Sequence, residues 1–181
     1  AISLSTEEGA AAIANIVNKI MNGTAPNKER LTGATLVPLV KSQSKVRPIA
    51  IGEIFTRLAA RCLLRQQSKD LANYFAPIQM GVQQPGGAER IVHSVRKAYN
   101  AGDSILSLDL SNAFNRINRM TIRATLSEHF PGLLRYFDWA YGHSAPLWYE
   151  NGLLTRSQEG VRQGDPLGPA LFAAGIHHVL V

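Results

Sequence analysis

Apolar residues recur at helical spacing along much of the chain. Ile13, Ile16, Val17, Ile20 and Met21 follow Ser5-Thr6-Glu7-Glu8, in which Ser5 and Glu8 fit a capping box. This predicts an amphipathic helix of about four turns, ending at Asn22-Gly23 before Pro26. Asn27 to Gly33 reads as a polar loop. Thr35 to Val40 and Val46 to Ile51 read as two strands of a hairpin, with Pro38 marking an edge and Lys41-Ser-Gln-Ser-Lys45 turning the chain. Glu53 to Asn73 reads as one long helix with Ile54, Leu58 and Cys62 inward. A loop rich in Gly, Gln and Pro (Pro77 to Gly87) precedes another amphipathic helix, Ala88 to Ala101, with Ile91, Val92, Val95, Ala98 and Tyr99 inward.

Past the turn pair Gly102-Asp103, the apolar run from Ser104 predicts a short buried strand with Asp109 at its end. A polar turn, Ser111-Asn112, and the ring of Phe114 follow. Met120 to Phe130 and Leu133 to Tyr141 read as helices split by Pro131-Gly132. Leu147 to Arg156 is a hairpin turning at Asn151-Gly152. Gln158 to Pro169 is a glycine-rich loop that opens the last helix at about Pro166. Helices and strands mix without regular alternation, so the fold class is α+β and helix-rich.

Composition narrows this picture. The 181 residues are 45% hydrophobic and 18% charged, which is globular and enough for one ordinary domain. A net charge of +6 favours a polyanionic partner. The single cysteine, Cys62, excludes an internal disulfide and a cysteine-rich zinc site. No apolar run approaches the ~20 residues of a membrane span, and no signal peptide opens the chain. The chain starts at Ala1, and the apolar helical pattern from Ala170 to Val181 lacks a stop signal. This reads as a fragment, or as a final turn packed against something, with self-association as one outcome.

Candidate chemistry starts at Asp109. A buried carboxylate must be paired, hydrogen-bonded or bound to a cation; a turn or helix cap is the plainer reading. Arg57, Arg61 and Arg65 share a helix face, which fits a phosphate track and a solvated face equally. Lys41, Lys45 and Arg47 crowd the first hairpin's tip, where lysines also protect edge strands. His177 and His178 point about 100° apart on a helix, so they do not converge on one ion; one inward and one at the surface is expected. Trp139, Tyr141, Trp148 and Tyr149 read as core and hairpin packing rather than base-stacking platforms.

Three segments, in order, resemble the reverse transcriptases of non-LTR retrotransposons. Lys45-Val-Arg47-Pro48-Ile49 is similar to the fingers motif of that class, and Leu108-Asp109-Leu-Ser-Asn-Ala-Phe114 to its first palm motif. Glu159-Gly-Val-Arg-Gln163-Gly164-Asp-Pro166-Leu-Gly168-Pro is similar to the second. Gly81 to Gly87 sits where this class carries a similar loop, and the resemblance runs from about Leu36 to the end.

The resemblance implies part of a right-hand polymerase fold: an N-terminal helix at 1–23, fingers at 24–85 and 120–157, and an incomplete palm at 86–119 and 158–181. It implies an RNA-directed DNA polymerase that adds deoxynucleotides to a DNA primer on an RNA template. The chemistry would be two-metal nucleotidyl transfer with Mg²⁺ or Mn²⁺. Asp109 would be the catalytic carboxylate and, with the carbonyl of Leu110, a metal ligand. Lys41, Lys45, Arg47 and the amides of Ser111, Asn112 and Ala113 would hold the triphosphate of a deoxynucleoside triphosphate. Phe114 would lie under the sugar, leaving little room for a 2′-hydroxyl. Gln163 would touch the incoming nucleotide. Arg57, Arg61, Arg65 and the turn at Gly164, Pro166 and Gly168 would meet nucleic acid.

One departure is equally informative. The family's next palm motif carries adjacent aspartates, and this sequence contains no Asp-Asp. Asp103, Asp138 and Asp165 read as a turn residue, a mid-helix residue and a cap, so the stretch alone is expected to bind Mg²⁺ weakly and to be inactive. Two other readings stand beside this one: a non-catalytic module that binds nucleic acid or itself, and an RNA-dependent RNA polymerase. The parent protein is expected inside the cell, in the nucleus, with no membrane partner.

Overall fold

The computed structural model describes residues 6–42, 45–150 and 152–181, without the side chains of 41, 42 and 45. Among them are nine helices and four strands, so the fold is α+β. Ser5, the hairpin turn at 43–44 and Asn151 lie outside the described residues.

Helix α1 (Glu7–Met21) is capped by Thr6, whose Oγ1 accepts from the Gly9 N–H at 3.1 Å. That is the three-residue reach the capping box assigned to Ser5, moved one position on. Val17 and Ile20 are buried as expected. The predicted polar loop at 27–33 is instead a short helix, α2 (Lys28–Thr32), in which the Thr32 hydroxyl donates to the Lys28 carbonyl.

β1 (Ala34–Ser42) and β2 (Lys45–Gly52) form the expected antiparallel hairpin, with Pro38 opposite Pro48. β3 (Ala145–Tyr149) pairs with β4 (Gly152–Ser157), and its parallel partner is β1, at Ala34 and Thr35 only. The sheet order is β2-β1-β3-β4, so at Pro38 the second side of β1 has left the sheet and behaves as an edge.

The predicted long helix is two, α3 (Ile54–Gln66) and α4 (Ser68–Phe75), broken at Gln67. Its inward face is also turned. Ile54 is 67% exposed and Leu58 is exposed, while Thr56, Ala59, Ala60 and Leu63 are buried. Small residues let α1 approach closely, which apolar spacing alone does not reveal. Cys62 packs at the edge of the core.

α5 (Gly87–Asn100) forms as expected, but Ile91, Val92, Val95 and Tyr99 are exposed. The predicted buried strand after it is absent: residues 103–110 have no strand pairing, and Leu106 and Leu108 are 80% and 78% exposed. Both departures have one cause. No element among the described residues lies against this apolar face, so pattern has nothing to pack on.

α6 (Ala113–Arg116) is a single turn, followed by α7 (Arg119–His129) and α8 (Pro131–Tyr141), which meet at Phe130 with Pro131 in the first turn. α9 (Gly168–Leu180) starts two residues later than expected, with Pro169 rather than Pro166 in its first turn. The core joins α1, α3, α4, α7, α8 and α9 around Ile20, Phe75, Leu126, Tyr136, Phe137 and Leu171. His177 is buried and His178 exposed, as the helix period requires. Trp139 and Tyr141 are core residues, while Trp148 and Tyr149 on the second hairpin are about 40% exposed.

Candidate functional site

The loop between β4 and α9 is where the sequence motifs meet. The Val161 N–H donates to the Phe114 carbonyl at 2.7 Å, and two residues on, the Gln163 carbonyl accepts from the Ala50 N–H at 2.7 Å. One short bend is thus bonded on one side to the turn after Asp109 and on the other to β2. Gly160 makes the first contact possible. Its φ is +64°, and a Cβ there would overlap the carbonyl group of Asn115. At Gly164 a Cβ would sit 2.5 Å from the Ala50 oxygen and 3.3 Å from Ile49 Cγ2.

Phe114 stacks on Phe172 of α9, with ring centres 4.8 Å apart and planes 9° from parallel. This fixes the ring from below. Asn112, at φ +53°, starts α6 in the left-handed region, which asparagine tolerates better than most residues. Ala113 is half-buried, and Ser111 and Asn112 are exposed. Asp109 and Leu110 are exposed, and no hydrogen bond or ion pair to the Asp109 carboxylate occurs among the described residues.

Arg47 is exposed on β2. Strand alternation puts it on the face of Ile49 and Ile51, opposite to Ala50. Lys41 and Lys45 belong to β1 and β2, but their side chains lie outside the described residues. Gln163 is half-buried and lines a cleft of about 400 Å³ shared with Pro48, Ala50, Asn115, Gln158 and Arg162. Pro166 is half-buried and Gly168 buried, 3.7 Å from Phe114 if given a Cβ.

Not every predicted residue joins this cluster. Arg57 borders a separate groove of about 1000 Å³ on the Ile51 and Trp148 side of the sheet, and Arg61 and Arg65 are exposed further along α3. Among the described residues no group of three His, Cys, Asp or Glu side chains comes together as a metal site would require. The donors present therefore do not by themselves fit a two-metal centre.

Beneath the bend lies a buried polar network that sequence reasoning missed. Arg162, 7% exposed, donates through Nη1 to the Thr32 carbonyl at the end of α2. Its guanidinium lies 4.8 Å from the centre of the Tyr141 ring, and Nη2 is 3.9 Å from Asp165 Oδ2. The Tyr141 hydroxyl donates to the same Asp165 oxygen, while Oδ1 accepts from the Leu167 N–H at 2.9 Å. Asp165 does not cap α9, which begins at Gly168 without a side-chain cap; its carboxylate bonds the Leu167 N–H in the turn before the helix and answers a buried arginine.

Burial, the largest influence, raises the Tyr141 pKa, and the Asp165 charge raises it further. Burial opposes the charge on Arg162, but the Tyr141 and Asp165 oxygens outweigh it and hold its pKa above the ordinary value. Tyr141 stays a neutral donor and Arg162 a cation. The one signal in the sequence was the pair Arg162 and Asp165 flanking Gln163 and Gly164 at a spacing of three; nothing local pointed to Tyr141 or to Arg119.

No protein-family model matches the chain. Over 171 residues, 90% of its length, the chain is 32% identical to the retrotransposable element SLACS 132 kDa protein of Trypanosoma brucei gambiense. The chain is related to a retrotransposable-element protein. It spans 14% of that relative's length. No helix among the described residues is long and apolar enough to cross a membrane.

Proposed function

We propose that this chain is the nucleotide-facing part of a reverse transcriptase of a non-LTR retrotransposon, comprising fingers (24–85 and 120–157) and an incomplete palm (86–119 and 158–181). The observation that carries the reading is the pair of backbone bonds that ties the Phe114 turn and the β2 strand to one glutamine-bearing bend. Three segments far apart in sequence, each similar to a motif of that class, meet at this bend, which supports reading it as the place of the incoming nucleotide. Relatedness to a retrotransposable-element protein supports the same reading.

In this reading Arg47, with Lys41 and Lys45, neutralises the triphosphate, and the amides of 111–113 share that task. Phe114, held flat on Phe172, presents a ring rather than a hydrogen-bonding group to the sugar. The DNA primer and RNA template pass along the Gly164–Gly168 turn and the arginines of α3. Asp109 would contribute one carboxylate to a site for Mg²⁺ or Mn²⁺, and among the described residues no group of three potential ligands gathers to complete it. The metal would polarise the reacting oxygens. For the parent protein of a retrotransposon the place of action is the nucleus.

Primer extension on an RNA template tests this. A longer chain that continues past Val181 is expected to extend the primer, and its Asp109→Asn variant to lose activity by about 10³-fold or more, as expected when a group acts only in the transition state. The 181-residue chain alone is expected to be inactive; extension by it would refute the account of the missing carboxylates. In the longer chain, Phe114→Ala is expected to raise ribonucleotide incorporation, and an unchanged sugar preference would remove the steric role of the ring.

A further inference from the structure

Arg119 is a second arginine beside the Tyr141 ring, and nothing about its sequence setting, Asn115-Arg116-Ile117-Asn118-Arg119, marks it out. It sits at the first position of α7, half-buried, and all three of its guanidinium nitrogens donate. Nε bonds the Gly160 carbonyl at 2.9 Å. Nη2 bonds Ser157 Oγ at 2.8 Å and the Glu159 carbonyl at 3.2 Å. Nη1 bonds the carbonyls of Tyr141 at 3.0 Å and His143 at 3.3 Å, at and just past the end of α8, and that of Ser157 at 3.4 Å. The guanidinium carbon is 5.3 Å from the centre of the Tyr141 ring, the ring that Arg162 also approaches.

A planar fork with fixed donor directions suits such a set of acceptors; a lysine has one nitrogen and cannot span it. The acceptors on one side are the chain entering the bend, residues 157–160. Gly160 is also the residue whose backbone lies against Asn115, and Val161 after it bonds Phe114. On the other side is the rigid end of α8. Burial lowers the Arg119 pKa and Arg162 adds to that, with Tyr141 and Glu159 acting against it; the direct hydrogen bonds of the guanidinium go to carbonyls and a hydroxyl. A cation whose hydrogen bonds tie the start of this loop to the ends of two helices is built to hold geometry.

We propose that Arg119 is a positioning residue. It fixes the 157–164 bend against α7 and α8, and through that bend sets the distance between the Phe114 turn and β2. The clamp itself stands on the geometry alone. Its consequence for nucleotide use rests on the polymerase reading.

Two measurements test it. In the 181-residue chain, amide hydrogen exchange of Ala50 and Val161 reports the two bonds on either side of the bend. Arg119→Lys is expected to speed exchange at both by about tenfold or more while leaving the amides of α7 and α8 protected. Unchanged protection at Ala50 and Val161 would overturn the clamp. If Arg119→Lys fails to fold, Ser157→Ala, which removes a single acceptor, is expected to give a smaller change at the same two amides; no change there also overturns it.

In the longer chain, Arg119→Lys is expected to raise KM for the deoxynucleotide about tenfold, with kcat falling less. A variant that merely lowers the folded fraction would cut apparent kcat and leave KM in place, and that result overturns the positioning role. Arg123→Ala, one turn along the same helix, removes an exposed bidentate pair with Asp138 and is expected to leave KM unchanged. Should the unaltered longer chain extend no primer, the polymerase reading fails, and the exchange experiment still decides the clamp.

Discussion

Two regions of this molecule carry the same kind of apolar pattern and fold to opposite ends. The bend at 157–168 and the helices around it, α7, α8 and α9, bury most of their apolar residues, with Met120, Val179 and Leu180 at the helix ends exposed. The arm formed by α5 and residues 103–110 exposes Ile91, Val92, Val95, Tyr99, Leu106 and Leu108. The arm's helix is amphipathic and its extended segment is richer in apolar residues than most of the bend. What separates the two is company. The bend is bonded on both flanks and joins the core through Val161 and Leu167, whereas among the described residues the arm has no element across from it. Period and composition state that a face is apolar; they do not state that something covers it.

Cavity-forming substitutions should expose the contrast most strongly. Phe137→Ala, in the centre of α8, is expected to destabilise the chain by about 3–5 kcal/mol in urea unfolding. Leu106→Ala, in the arm, is expected to change it by no more than ~0.5 kcal/mol. Comparable losses at the two positions would mean that the arm packs in solution.

Glycines give a second, smaller contrast. Gly160 and Gly102 both have positive φ, +64° and +84°, but only Gly160 has backbone against it; around Gly102 nothing lies within 4 Å. Gly160→Ala should therefore cost about 2–4 kcal/mol, combining strain with overlap. Gly102→Ala should cost about 1 kcal/mol from strain alone. Equal costs would show that the close approach at Asn115 is not what Gly160 serves.

The smallest effect is in pH dependence. His143 Nε2 lies 3.0 Å from Thr32 Oγ1, whose own proton goes to the Lys28 carbonyl, so Nε2 carries hydrogen and donates. Nδ1 is buried without a partner. Burial first, then the positive charges of Lys28, Arg162, Arg119 and Arg156, lowers the His143 pKa. The unfolded chain thus binds the proton more readily, so stability rises with pH and is lost as pH falls below about 6.5, the ordinary histidine value. His143→Gln is expected to flatten that slope in thermal unfolding between about pH 5 and 7; an unaltered slope would assign it to other groups.

Much of the fold was legible. Period found α1, α5, α7 and α8, turn chemistry found both hairpins, and the Asn-Gly and Pro-Gly pairs fell close to the observed boundaries. What escaped had particular causes. α2 lacks apolar period because it is one turn long and held by Thr32. The break at Gln67 carries neither glycine nor proline. The inward face of α3 is made of alanines, which hydrophobic spacing undervalues. At the candidate site, Phe114 and Gln163 stood out through the resemblance of their segments to motifs of a known family. Arg119 and Tyr141 were not, since each acts on backbone or on a partner more than twenty residues away, and no local pattern encodes such a partner.

The facing prolines of the first hairpin carry one more lesson. Neither Pro38 nor Pro48 has an amide proton, so halfway up the hairpin both outer margins lack a donor. A strand arriving from another molecule would meet a gap in its ladder at that height. Two positions along β2, the outward amide of Ala50 is already taken by the Gln163 carbonyl. Edge-to-edge stacking is thus interrupted along the hairpin without relying on charge.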